Sequence, residues 1–253
     1  MSKPLVGVSG FDAAASSHYE GANLARGGAA FTVLAAMTMR TVPEAAAVTL
    51  AGAGGGVTDG WRLLRGINAG ATTANFAWNI GYSGGQQSNS QTFNIADIIG
   101  RTMLFGVTVN ATAAIYYTNG GQIGADTGVG AVTAAASALC LGGSLTGLGV
   151  VGMPDDLHGM LYTPSVLTPL EMGNIFRQLV QTRSLQQAVA AAGVTPELLY
   201  DVATLAVSPS LTPPTSWASI GSTVTPVTWV GASTANLLTF DVNSEAQFSN
   251  GAP

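Results

Sequence analysis

The chain has 253 residues, of which 47% are apolar and only 8% are charged, and its net charge is −5. This length can bury a large core, but the charged fraction is about a third of the usual ~25%. Lysine occurs once, at Lys3, and the arginines are scattered. Because phosphate binding needs clustered cations, we expect no nucleic-acid partner.

Short strand-like runs, separated by glycines, follow one another as far as residue 163. The segment before residue 31 is interpreted as loop apart from one short strand, 51–56 as a glycine turn, and 83–91 as a polar loop. No helical pattern interrupts the series, which indicates a β-sandwich or barrel. The predicted strands are 5–8, 31–39, 47–50, 61–67, 75–81, 103–109, 114–118, 139–141 and 160–162.

A helical segment is predicted over 168–205. It opens with Thr168-Pro169-Leu170-Glu171, which has the threonine, proline and glutamate of a capping box. Ser184 is expected to cap a second short helix that ends at Gly193. A third helix is predicted to start at Thr195-Pro196-Glu197 and to continue to about residue 205.

The last part of the chain, 206–253, is rich in Ser, Thr and Pro, but alternating runs resume at 217–230 and 236–242. These runs predict either an extra hairpin on the sandwich or an extended β arm that pairs with a neighbouring subunit. Pro226 favours an edge position, because proline cannot donate to a sheet ladder. The predicted domains are therefore a sandwich at 1–167, the helical segment at 168–205, and this arm or hairpin at 206–253.

The order of several short motifs resembles the concanavalin A-like, laminin G-like jelly-roll family. The resemblance covers about 28–182 and implies an antiparallel jelly-roll β-sandwich. One motif is an Asn-Gly pair suited to a tight hairpin turn. The matching segments are Phe-Thr-Val-Leu-Ala at 31–35, Gly-Trp-Arg-Leu-Leu at 60–64, Ile-Tyr-Tyr-Thr-Asn-Gly at 115–120, Leu-Cys-Leu-Gly-Gly at 139–143, His-Gly-Met-Leu-Tyr at 158–162 and Leu-Thr-Pro-Leu-Glu-Met at 167–172.

The calcium site of some members of that family is only partly matched. Asp155 and Asp156 lie just before the closing strand instead of within it, and Asp126 is predicted in another loop. Loop carboxylates can hold calcium together with carbonyl oxygens, but solvated carboxylates are the favoured interpretation. We expect no cofactor, and calcium stays open as the alternative.

The glutamates, the histidines and the cysteine do not form a sequence pattern that is typical of a catalytic site. The five glutamates are isolated, and no strand carries an acidic pair two residues apart, which glycosidases of this fold would need. His18 and His158 lack a nucleophile-elbow motif, and both are predicted in loops or turns. Cys140 is interpreted as a buried strand residue. We therefore expect a protein that is not an enzyme.

Four tryptophans are the candidates for sugar stacking or for interface contacts. Trp61 and Trp78 lie in predicted strands and are expected in the core. Trp217 and Trp229 lie in the tail and are the better candidates for exposure, as interface anchors or glycan contacts. The polar segment 83–91 is expected to border any glycan groove.

Three hypotheses of function remain. The main hypothesis is a bacteriophage virion structural protein, specifically a capsid decoration protein, that assembles with capsid or other virion proteins and forms homo-oligomers. It depends on the neutral, nearly lysine-free composition and on the tail. The alternative is a glycan-binding, lectin-like module of a tail fibre or cell-surface adhesin. A surface-layer-like protein is a third option.

No membrane partner is expected from the sequence. The longest apolar stretch, 27–39, is shorter than the ~18–20 residues that span a bilayer. The start Met-Ser-Lys-Pro lacks the positive and apolar regions of a secretion signal. The hypothesis therefore places folding in the host cytoplasm and the finished protein in the virion.

Overall fold

Two antiparallel β-sheets form the body of the protein in the computed structural model. All pairings between the named strands are antiparallel, which confirms the predicted all-β sandwich. The structure describes residues 6–9, 18–23, 28–39, 48–53, 59–67, 72–82, 85–128, 130–132, 138–142, 156–182, 184–204, 216–230 and 238–241.

The first sheet, called sheet A, has the strand order β10-β9-β8-β3-β12-β1-β16. Strand β13 also pairs with β12, along residues 159–162, whereas β1 pairs with β12 at Leu157. Its central strand β3 is buried along its whole length, because both of its faces are covered. The strands of sheet A are β1 (Val6–Ser9), β3 (Phe31–Thr38), β8 (Thr102–Val109), β9 (Ala113–Thr118), β10 (Gly121–Thr127), β12 (Asp156–Thr163), β13 (Leu198–Asp201) and β16 (Leu238–Asp241).

The second sheet, called sheet B, has the order β14-β15-β2-β11-β4-β5-β6-β7. One edge is therefore made by the tail of the chain, and the other by the hairpin β6–β7. The strands of sheet B are β2 (His18–Asn23), β4 (Val48–Ala53), β5 (Trp61–Ile67), β6 (Thr73–Tyr82), β7 (Gly85–Asn94), β11 (Ala138–Leu141), β14 (Ser216–Ala218) and β15 (Pro226–Val230).

The main core lies between the inner faces of the two sheets. Aromatic rings fill it: Phe76 stacks on Phe105 across the sheets with ring centroids 4.5 Å apart, and Trp61 lies 6.2 Å from Trp78. Both tryptophans are buried, as the sequence predicted. Since fully burying an apolar side chain stabilises the fold by about 1.5–3 kcal/mol, this layer is the main source of stability.

A second core lies on the outer face of sheet A, beneath two helices. These helices are α2 (Pro169–Thr182) and α3 (Leu185–Ala191), and a four-residue turn, α1 (Ile95–Ile98), follows β7. Alternate residues of β3 point to the two layers, so Val33 faces sheet B while Leu34 faces the helices. The members on the helix side are Leu34, Ala36, Leu104, Tyr117, Leu161, Leu167, Met172, Ile175, Leu179, Leu185, Ala188, Val189 and Leu199.

The helix ends confirm the predicted caps. The backbone N–H and the hydroxyl of Thr168 donate to the Glu171 carboxylate at 2.7 and 2.8 Å, and the N–H of Glu171 donates back to Thr168 Oγ1. Ser184 Oγ accepts from the N–H of Gln187. Gly193 has φ +72°, as its predicted place at the helix end requires.

The predicted third helix is wrong. Within its described residues, Leu198–Asp201 forms β13 and Val202–Thr204 forms a 3-10 helix. The strand pairs with β12, and its four residues are all buried. Burial and ladder hydrogen bonds therefore override the local helix signal.

One predicted turn is confirmed, and several residues that were predicted in turns or loops lie in strands. Asn119 (φ 51°) and Gly120 (φ 78°) make the predicted tight turn between β9 and β10. The predicted glycine turn at 51–56 is wrong in its first half, because Ala51 to Ala53 complete β4. His18 was predicted in a loop and His158 in a turn; they lie in β2 and β12.

The described part of the tail pairs with its own chain. The hairpin β14–β15 extends sheet B next to β2, and β16 pairs with β1 in sheet A. Of the two alternatives, the structure therefore shows the added hairpin for 216–230. Pro226 lies at the start of β15, where proline is tolerated.

Candidate functional site

Strand β7 is the most polar element of the sandwich, and it was predicted to be a loop. In Gly85–Asn94, a Gln or Asn is followed by Ser or Thr three times, at 87–88, 89–90 and 91–92. Its one aromatic residue is Phe93. It pairs with β6 over ten positions without a bulge. The loop prediction is wrong because the alternation is carried by polar residues on both faces, so hydrophobicity gives no strand signal.

The two faces of β7 have different surroundings. Odd-numbered residues turn inward, and Phe93 packs against Phe76 and Phe105 of the core. Even-numbered residues are exposed on the outer face of sheet B. They form a row of neutral hydrogen-bonding groups: Gln86, Ser88, Ser90, Thr92 and Asn94.

A hydrogen-bonded cluster connects this row to β6 and β5 on the same face. Asn79 stands opposite Ser88 on one side and opposite Arg62 on the other. In the amide orientation that satisfies its neighbours, Asn79 Oδ1 accepts from Arg62 Nε and Nη2, both at 3.2 Å, and from Gln86 Nε2 at 3.0 Å. Its Nδ2 donates to Ser88 Oγ at 2.7 Å. We call these four residues the Arg62 cluster.

The four residues of the Arg62 cluster differ in how exposed they are. Asn79 is only 5% exposed, whereas Ser88 and Gln86 are exposed and Arg62 is half-buried. Burial lowers the pKa of Arg62 from its usual value, but a guanidinium stays charged at any physiological pH. Its partner within the cluster is a neutral amide, so its charge is not offset there.

The middle of the same face is lined differently. Cys140 lies opposite Gly52 and Glu20 in the neighbouring strands and is only 2% exposed. Burial, with a smaller effect from the Glu20 carboxylate, raises the pKa of the Cys140 thiol to about 12. The predicted burial of Cys140 is confirmed. The Glu20 carboxylate lies 3.3 Å from His18 Nε2. Because Cys140 and His18 are both buried, this region is not an extension of the exposed polar row.

The expectation that Trp217 is exposed is wrong. Its side chain is 1% exposed and packs edge-on against Tyr19 and Tyr200, with centroids 5.6 and 5.7 Å away. Its Nε1 donates to the carbonyl of Asp201 at 3.3 Å. The tail hairpin forms one edge of sheet B. Because side chains alternate between the two faces of a strand, this position directs the Trp217 ring into the core. Trp229 pairs with Tyr19 through its backbone; its side chain lies outside the described residues.

The acidic residues considered for calcium are not brought together in what the structure describes. Asp126 was predicted in a loop but lies in β10, where it accepts a 2.7 Å hydrogen bond from the hydroxyl of Tyr116. Asp156 begins β12 opposite Thr38, and Asp155 lies outside the described residues. Over the described ranges, no group of three His, Cys, Asp or Glu side chains is placed to hold a metal ion.

Among the described residues, no helix combines the length and the apolar character needed to cross a membrane. The longest, α2, has 14 residues. Its apolar side packs against sheet A.

Comparisons with known proteins give a fold but no family. No protein-family model matches the sequence, and no curated protein matches it either. A presumed carbohydrate-binding protein from Bacteroides ovatus is similar in structure, with a TM-score of 0.64 and 12% identity over 96% of this chain. This chain spans 61% of that protein. A heptameric SAP-like pentraxin from Limulus polyphemus has a TM-score of 0.52 and 13% identity, over 68% of this chain and 82% of its own.

These similarities show that the chain has the fold of an all-β jelly-roll sandwich. Sequence analysis found the sandwich but missed the Arg62 cluster. The available signal was the run of Gln, Asn, Ser and Thr at 86–92, in which amide and hydroxyl side chains alternate from Gln87. It follows the predicted strands that contain Arg62 and Asn79.

Proposed function

We propose that this protein is a non-enzymatic glycan-binding module, and that it binds sugars at the outer face of strands β5 to β7. The observation that carries the proposal is the Arg62 cluster, where a charged guanidinium and a hydroxyl are held by one buried amide beside an exposed neutral row. Sugars present dense hydroxyl groups, and amides, hydroxyls and guanidinium forks supply matching donors and acceptors.

The chemistry of the cluster also suggests a class of glycan. A guanidinium fork matches a carboxylate in a bidentate way, so we expect sugars with a carboxylate to bind better than neutral ones. Among the described residues of this face, no aromatic ring is exposed for stacking, which is consistent with recognition by hydrogen bonds. The similarity to the Bacteroides ovatus protein supports a carbohydrate partner as well.

The proposal is tested with a glycan array of neutral and acidic sugars, followed by calorimetry on the best hit. Arg62→Ala and Asn79→Ala should weaken binding about 10–100-fold, the cost of losing hydrogen bonds to a charged group. Arg62→Lys keeps the charge but loses the fork and should give an intermediate loss.

Thr228→Ala is the control, because Thr228 is exposed on sheet B but lies on β15, away from strands β5 to β7. It should bind as the wild type does, and all variants should keep their β circular dichroism. Silence of the wild type across the array, or unchanged binding by Arg62→Ala, would count against the proposal.

The absence of catalysis is part of the proposal. Several described carboxylates have structural partners: Asp126 with Tyr116, Glu171 with Thr168, and Asp201 with Ser184 and the N–H of Gln186. Retaining and inverting glycosidases need two carboxylates about 5–9.5 Å apart across a cleft. Incubation of the bound glycan with the protein, followed by mass spectrometry, should show no cleavage.

A virion assembly role is the second candidate. Leu170 and Val224 are 68% and 74% exposed, and the neutral composition suits a packed subunit. However, the arm exchange that this hypothesis invoked has less support, since β14, β15 and β16 pair within the chain. Co-sedimentation with phage shells that lack decoration is the test: Leu170→Asp and Val224→Asp should abolish any retention.

A further inference from the structure

We propose that β7 is a self-association edge, which pairs antiparallel with β7 of a second copy of this chain to join two B sheets into one. This inference goes beyond glycan binding and does not depend on it. It begins with the position of the strand: β7 ends the order of sheet B, so among the described strands one side of its backbone has no partner.

The backbone groups that point to this free side can be identified. Ile95 donates its N–H to the carbonyl of Thr72 at 2.8 Å, one step beyond the pair Asn94–Thr73. In an antiparallel ladder the hydrogen-bonded positions alternate, so the odd residues of β7 bond to β6. The N–H and C=O groups of the even residues, 86 to 94, therefore point outward at the edge.

The edge lacks the usual protection against pairing. Natural edge strands are interrupted by bulges, prolines or charges, or are very short. Strand β7 has ten residues, a bulge-free register, no proline and no charged side chain. At the opposite end of sheet B, β14 has only three residues.

The neighbouring edge of sheet A does not occupy the free side. Strand β10 approaches β7 through the inward-facing side chain of Asn89, whose amide is so close to Gly124 that a Cβ there would be 2.6 Å from its nitrogen. That contact lies on the core side of β7. The even residues remain exposed on the other face.

The sequence of β7 is complementary to itself. If Ser90 faces Ser90 of the second copy, the five outward-pointing positions all find partners: Gln86 with Asn94, Ser88 with Thr92, and Ser90 with itself. About ten backbone hydrogen bonds would form. Each of these outward-facing pairs is polar and neutral, and β7 has no charged side chain, so no like charges meet. A different partner strand would have to match this pattern, whereas a second copy does so by symmetry.

The arrangement has a functional consequence. Facing residues of an antiparallel pair project to the same side, so the two polar rows would lie on one continuous face. The interface is smaller than the ~800 Å² per partner of a standard complex. We therefore expect a dissociation constant in the micromolar range, about 1–100 µM.

Sedimentation velocity of the whole chain from about 1 to 200 µM, a range that brackets this affinity, tests the inference without any glycan. The wild type should shift from monomer to dimer. Ser90→Lys and Ser90→Glu should each stay monomeric at concentrations where the wild type is dimeric, because each variant places like charges opposite each other at the two-fold axis. An equimolar mixture of the two variants should restore a dimer, seen by native mass spectrometry as the mixed species.

Thr228→Lys is the control, since it adds the same charge to an exposed position of sheet B away from β7, and it should dimerise as the wild type does. A wild type that stays monomeric over the whole range overturns the proposal. So does a dimer that Ser90→Lys leaves intact, or a mixture of the charge variants that stays monomeric. None of these outcomes bears on glycan binding by the monomer, which the Arg62 variants test separately.

Discussion

The outer faces of the two sheets differ in burial, although both belong to the same sandwich. The outer face of sheet A bears Leu34, Leu104 and Leu161 and lies under α2 and α3. The outer face of sheet B bears Arg62, Asn79 and the polar row of β7, and is exposed at its β7 end. The difference teaches that one face adds stability, since it buries apolar area, while the other leaves polar groups exposed to solvent.

The sharpest test of this contrast is Cys140, which lies on the outer face of sheet B but is buried. With its pKa raised to about 12, its thiolate fraction at pH 8 is on the order of a thousand times below that of a free cysteine. Reaction with a thiol reagent should slow by at least that factor and accelerate on denaturation. Fast labelling of the native protein would show that the middle of the face is open.

Truncation on the covered face should cost much more than truncation on the open face. Leu179→Ala removes a fully buried side chain between α2 and sheet A and should lower the free energy of unfolding by about 2–5 kcal/mol. Leu64→Ala, on the outer face of sheet B and half-buried, should cost about 1 kcal/mol or less. Equal losses in urea denaturation would contradict the comparison.

Close packing on the helix side should also make glycine essential there. A Cβ at Gly159 would lie 2.4 Å from the carbonyl oxygen of Tyr200, a backbone atom that cannot move freely. Gly159→Ala should therefore cost about 1–3 kcal/mol through strain. Gly121→Ala is the control, since its nearest neighbour would be 3.5 Å away, and thermal unfolding should show little change for it.

The smallest effect concerns the cap of the covering helix. Thr168→Ala removes the hydroxyl that accepts from the N–H of Glu171 and donates to its carboxylate. The expected loss is about 1 kcal/mol of unfolding free energy. A larger loss, or loss of the sandwich, would mean that α2 has a greater part in folding than the packing indicates.

Prediction from the sequence worked where local and tertiary preferences agree. The strand at Trp61–Ile67 was predicted with its observed bounds, the Thr168 capping box is formed as expected, and the Asn119-Gly120 turn has its positive φ angles. In each case the residues carry the signal themselves, through alternation, side-chain capping or backbone freedom.

Prediction failed where the signal was absent or was overridden. Strand β7 has no apolar alternation, so only its ten pairs with β6 define it as a strand. The segment at 195–205 has a good helix start but lies against β12. The burial of Trp217 could not be predicted from the sequence, because it depends on packing against the rings of Tyr19 and Tyr200.

By itself, the sequence determined the all-β sandwich with its capped helices, because glycine spacing, strand alternation and cap residues act over a few neighbouring positions. Only the tertiary structure decided which face the helices cover, and that the tail hairpin joins sheet B beside β2. It also decided that Arg62, Asn79 and Ser88 meet on one face. These residues are up to 26 positions apart in the chain, and only the register of three paired strands brings them within hydrogen-bonding distance.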